Sequence, residues 1–145
     1  MVTDGTDREL FDGLKSAIEA DGATLEVVAP TVGGVKASDG SIIEAQQKIG
    51  GGPSVLYDAV AIMPSGEGVQ SLLNNAAAKD FVSDAFAHLK FIAYDEAAMK
   101  LFEKAGIAAD LDEGCFIINA PKDAKSFVTA CRKLRRWDRE QIVMA

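Results

Sequence analysis

The sequence predicts an α/β domain, built as a doubly wound, mainly parallel sheet with helices on both faces. Short β-rich apolar runs alternate with amphipathic stretches of helical length, the pattern of βαβ units. Runs such as Ala59-Val60-Ala61-Ile62-Met63 show no polar alternation, as expected of strands covered on both faces. The chain is 48% apolar but only 7% aromatic, which suits small side chains packed between helices and a buried sheet. Its 145 residues make one domain, 1–145, with a real core and no room for a second.

Thr6-Asp7-Arg8-Glu9 has capping-box spacing. Leu10, Phe11, Leu14, Ala17 and Ile18 follow as one helical stripe, which Gly22 closes where a left-handed residue is wanted. Residues 24–29 read as a strand stopped by Pro30. Turn chemistry at Gly33-Gly34, Asp39-Gly40 and Gly50-Gly51-Gly52-Pro53 frames short segments at 35–37 and 41–44, a small hairpin or excursion. The strand 59–63 follows, and Ser65-Gly66-Glu67-Gly68 hands over to helix. Asn74-Asn75 caps a helix over 76–88, Lys90–Tyr94 is a strand, and Asp95 caps a helix ending at Gly106. The last strand starts at Cys115 and runs to Asn119, and the last helix runs from about Lys122 to Trp137.

A formal charge of −7 argues against general affinity for nucleic acid or anionic membrane, since phosphate contacts need a basic surface. Two cysteines, Cys115 and Cys131, make neither a disulfide scaffold nor a zinc site, so a reduced, cytoplasmic setting is expected. No run reaches the about 18 apolar residues of a spanning helix.

Several stretches together resemble a known family. Val2-Thr3-Asp4-Gly5 and Ala23–Pro30 resemble the opening of the ThiJ/PfpI superfamily, flavodoxin-like domains similar to class I glutamine amidotransferases. Within it, Val35–Ser41, Gly51–Val60, Ala85–Ala93 and Arg136-Trp137-Asp138-Arg139 are similar to the C-terminal domain of large-subunit haem catalases. The resemblance covers nearly the whole chain. It implies an accessory, stabilising domain with no cofactor of its own. The haem would lie in a catalase core outside this sequence, and the partners would be that core and the other subunits of a homotetramer. The parent reaction would be disproportionation of hydrogen peroxide.

The sequence departs from the superfamily at two places. Active members carry a cysteine on the turn after the Lys-x-Ile-Ala strand, where a helix N-terminus lowers a thiol pKa. That turn here reads Tyr94-Asp95-Glu96-Ala97, with Glu96 at the elbow. No catalytic residue is therefore assigned. Glu9 stands nearest to the superfamily's glutamate, one residue short of its spacing from Gly5. The superfamily's first strand is represented only by Met1-Val2, so that strand reads as truncated and the chain as a C-terminal fragment of a larger catalase.

Other candidates have plainer readings. His88, at a helix end, reads as a cap or interface residue, and both cysteines read as small core hydrophobes. Ser65–Gly68 lacks phosphate-loop spacing, and Glu67 would repel phosphate, so turn geometry accounts for its glycines. Asp95 and Glu96 are adjacent and cannot face each other as an acid/base pair. Seven of the 15 basic residues lie in 122–139. A solvated face is the plain reading of them. Arg135, Arg136, Trp137 and Arg139 form the candidate docking surface, because Trp and Arg are enriched in hot spots. A stand-alone ThiJ/PfpI-like hydrolase and a chaperone-like module are the alternative functions; a flavin site would need a Ser/Thr-rich phosphate loop after the first strand.

Overall fold

A computed structural model describes residues 1–144. Strands β5 (Val60–Ile62), β6 (Ile92–Tyr94) and β7 (Cys115–Ile117) form a parallel sheet in that order. Val60 pairs with Ile92, and Ile92 with Cys115. A second parallel pair joins β1 (Val28–Ala29) to β4 (Gln47–Lys48). The expected excursion is an antiparallel hairpin of β2 (Val35–Lys36) and β3 (Ile42–Ile43).

Met1 and Val2 join the two parallel sheets. Val2 forms a parallel bridge with Met63, and its N–H donates to Val28 O at 2.9 Å. The sheet therefore reads β4, β1, Met1-Val2, β5, β6, β7, with its first element central. The chain leaves Val2 toward β1 on one side and returns as β5 on the other, which places a topological switch point at the strand ends beyond Val2 and Met63.

Helix α1 (Arg8–Ala20) puts Phe11 and Leu14 inward. With α5 (Ala124–Cys131) it covers one sheet face, where Leu14, Phe127 and Val128 pack on Met63, Ala93 and Ile118. The other face lies under α2 (Val69–Leu73), α3 (Ala76–Ala87) and α4 (Met99–Ala105), where Phe81, Val82, Leu101 and Phe102 bury Val60, Ile62 and Ile92. The short α6 (Glu140–Val143) closes the described chain. Asn75 caps α3 by accepting Ala78 N–H, and Gly106 ends α4 in the left-handed region at φ 79°.

Three expectations are corrected. The cap of α1 is Asp7, whose carboxylate accepts Leu10 N–H, because Thr6 is buried and donates its hydroxyl to Met63 O at 2.6 Å. The strand expected over 24–29 pairs only at Val28–Ala29. The last helix stops at Cys131, and the chain then turns through Leu134 at φ 68°, so Trp137 lies beyond it.

Candidate functional site

The strand-end crevice is where a doubly wound fold offers a site, and here the chain's own atoms fill it. Ser65 N–H donates to Thr3 Oγ1 at 3.0 Å, and Ser65 Oγ donates to Asp4 O at 2.6 Å. Gly68 N–H in turn donates to Ser65 Oγ at 2.7 Å. A Cβ on Gly68 would stand 1.9 Å from Thr3 Oγ1. Gly68 has ordinary helical φ, −65°, so close approach and not turn geometry requires its glycine. These bonds satisfy the polar atoms that a phosphate would otherwise meet.

The elbow after β6 is built from Asp95 and Glu96. Asp95 is buried, its N–H donates to Ile62 O, and its carboxylate accepts Ala98 N–H at 3.0 Å. Burial pushes its carboxyl up to about 7, against the lowering effect of the Ala98 bond, with nearby Asp7 adding to the rise. Glu96 is exposed, as is Glu9 in the first turn of α1. Only Leu89 and Leu134 among the described non-glycine residues have positive φ. Glu96 is thus held without the backbone strain of a nucleophile elbow.

Both thiols are held protonated. Burial pushes Cys131 up to about 12, with Asp21 and Asp58 adding to the rise. Burial also raises Cys115, although Arg139 pulls the other way. His88 is exposed at the C-terminal cap of α3. No group of three or more His, Cys, Asp or Glu converges in metal-holding geometry among the described residues. Nor do the tyrosines fit an axial haem ligand. Burial and the Glu26 charge raise the Tyr57 hydroxyl, which donates to Glu26 at 2.8 Å, and Tyr94 packs edge-on against Phe102.

The basic cluster divides. Trp137 is 64% exposed. Arg135 donates to Leu134 O and Asp58 O, and Arg136 pairs with Asp138 at 3.3 Å and Glu113 at 3.7 Å. Arg139, expected on the docking surface, is instead only 1% exposed. Its guanidinium is bidentate to Asp112 at 2.7 and 3.0 Å, donates to the carbonyls of Phe86 and Lys90, and lies 4.3 Å from the Phe86 ring centroid. Desolvation alone would raise Asp112, but these hydrogen bonds and the Arg139 charge outweigh it and hold the carboxyl below its ordinary value. Lys90 is likewise buried, donating to the carbonyls of Ser54 and Tyr57. The sequence gives no signal for either role, since a lone Lys or Arg reads as surface.

Comparison with known proteins decides the family. The family described as the C-terminal domain found in long catalases matches residues 2–141. This chain belongs to that family. Catalase C of Rhizobium meliloti (strain 1021) is 51% identical over 143 residues, covering 99% of this chain and 20% of that protein. Catalase HPII of Pseudomonas putida is 31% identical, covering 97% of this chain and 19% of its own length. The catalase C-terminal domain described here thus spans about a fifth of the length of these curated relatives. Among solved structures, oxidized Toxoplasma gondii DJ-1 superposes with a TM-score of 0.76 at 15% identity, covering 98% of this chain and 93% of that one. The ThiJ/PfpI domain protein from Brachyspira murdochii gives 0.74 at 15% identity, covering 92% of each chain. These likenesses establish the flavodoxin-like fold of the domain. They leave its chemistry to its own residues.

Proposed function

We propose that this domain is a non-catalytic, stabilising C-terminal part of a haem catalase. The rest of that polypeptide would disproportionate hydrogen peroxide to water and oxygen. The observation that carries this reading is the 51% identity to Catalase C over nearly the whole chain. A strand-end crevice filled by Thr3, Ser65 and Gly68, and an elbow without a nucleophile, agree with it. Residues 1–145 form its single domain in a cytoplasmic homotetramer. The partner surfaces are the catalase core and the neighbouring subunits, with haem confined to the core.

Trp137, flanked by Arg135 and Arg136, is the docking patch toward those partners. An exposed Trp beside two guanidinium groups has the composition of an interface anchor. Trp137→Ala in the full-length protein is expected to weaken tetramer assembly, read by sedimentation. Unchanged assembly would remove the patch from the interface.

The test of the whole reading is the mass of the native polypeptide in its source cells, detected with antibody to this chain. A band several times heavier that copurifies with haem and catalase activity is expected. A band near 15 kDa would overturn the reading and favour a domain that works alone, as a hydrolase or chaperone-like module.

A further inference from the structure

The crevice at the carboxyl ends of the strands is filled, but a cavity of about 440 Å³ opens toward the amino ends of β6 and β7. Phe91, Phe116, Ala130 and Trp137 line it. Phe91 is buried and Trp137 exposed, so its aromatic lining runs from the core out to the surface.

The turn that carries Trp137 is held at both ends. It opens at Leu134, whose φ of 68° is unfavourable for a residue with a Cβ. Arg136 N–H donates to Leu89 O at 2.6 Å. Arg139 then anchors the far side through Asp112 and the carbonyls of Phe86 and Lys90. Between these holds, Leu134 and Trp137 stay exposed. An anchored turn that displays two large apolar side chains is pre-organised for contact, since little conformational freedom is left to lose on binding.

Charge says what the turn would meet. Residues 122–139 hold seven of the 15 basic side chains but only two of the 22 acidic ones, Asp123 and Asp138. Arg132 and Arg139 are paired with Asp21 and Asp112. Arg136 pairs with Glu113 and Asp138, both exposed, and its Nε is buried with no partner among the described residues. Exposed pairs are weak, so a partner's carboxylate can take their place at Arg136. Lys133 and Arg135 line the same cavity and make no ion pair among the described residues. The acidic excess of the chain lies elsewhere on its surface, where it would repel an extended polyanion such as nucleic acid or an anionic membrane. A short acidic peptide avoids that repulsion.

We propose that this turn and cavity receive an acidic segment of the partner surface, outside this domain. One apolar side chain of that segment enters beside Trp137, and flanking Asp or Glu carboxylates pair with Lys133 and Arg135. The proposal rests on the reading of the Trp137 patch as a docking surface and names what docks there.

The test uses the full-length protein in its native assembly. A carbodiimide joins a lysine amine to a touching carboxylate as an amide, with loss of water. It is expected to link Lys133 to an Asp or Glu outside residues 1–145, read by peptide mass mapping. Lys133 linked only within residues 1–145, or not linked at all, overturns the proposal. Arg135→Glu keeps Lys133 but reverses the charge beside it, so that crosslink should fall about fivefold or more, while Arg135→Lys keeps it. An undiminished yield in Arg135→Glu also overturns the pairing. A photoreactive phenylalanine derivative in place of Trp137 separates this proposal from the reading beneath it. Capture of a partner peptide with Asp or Glu beside an apolar residue is expected. Capture of a peptide without acidic residues keeps the docking surface and overturns its acidic occupant. No capture outside residues 1–145 removes the docking surface, and the proposal with it.

Discussion

Removing the Arg139 guanidinium would leave the partly buried Asp112 carboxylate and the carbonyls of Phe86 and Lys90 without their donor. Arg139→Ala is therefore expected to cost about 3–5 kcal/mol in chemical denaturation, the penalty for breaking a buried pair from one side. Arg139→Lys keeps the charge but loses the planar fork, so it should recover only a minor part. Asp95 gives a prediction of opposite sign. Its carboxyl stays protonated to about 7 in the fold, against an ordinary 3.8. The native state thus holds the extra proton between those values, and stability is lost as pH rises through that window. Asp95→Asn keeps an acceptor for Ala98 N–H and removes the ionisation. It should raise stability at pH 8 by at least about 1 kcal/mol and flatten the profile, as read by thermal melts across pH.

At the scale of elements, the termini decide more than the interiors. Asp7→Ala removes the cap from Leu10 N–H and should cost about 1 kcal/mol. Leu134 is 59% exposed and left-handed at φ 68°. Leu134→Gly relieves about 1 kcal/mol of backbone strain while losing little buried surface, so a higher Tm is expected; a lower one would mean that the Leu134 side chain outweighs the strain. These two sites also mark where the sequence was legible. The stripes of α1 and α3, the Asn75 and Asp95 caps and the Gly106 stop follow local rules, and the structure has them. The cap at Asp7 was misplaced because Thr6 fits the capping spacing equally well, and only its burial under Met63 removes it. The end of α5 was misplaced because Arg132–Trp137 contains no helix breaker; the tail turns there to bring Arg139 back over Phe86.

At the scale of the molecule, the sheet is held together through Met1 and Val2. In the chain beginning at Met1, the amine has a folded pKa of about 5 against an ordinary 8.0. The unfolded state then binds the extra proton between these values, so the contribution of this amine falls as pH drops from about 8 to 5, opposite in sign to that of Asp95 below about 7. Blocking the amine by acetylation is expected to remove that slope. A surviving fall in stability from about pH 8 toward 7, above the Asp95 window, would place the titration elsewhere.

The sequence by itself carried the family resemblance in its motifs, and it determined the α/β class and most helices and strands. These follow from periodicity, capping chemistry and motif spacing, which are local and survive without coordinates. The tertiary structure alone decided which polar groups are inside and which backbones meet. Arg139 moved from a docking surface to a buried latch, and Gly68 became a contact point for Thr3. The physical reason is the same in each case. Burial and pairing are set by partners remote in sequence, as Arg139 is from Asp112 and Met1 from Ala61, and no local pattern encodes them.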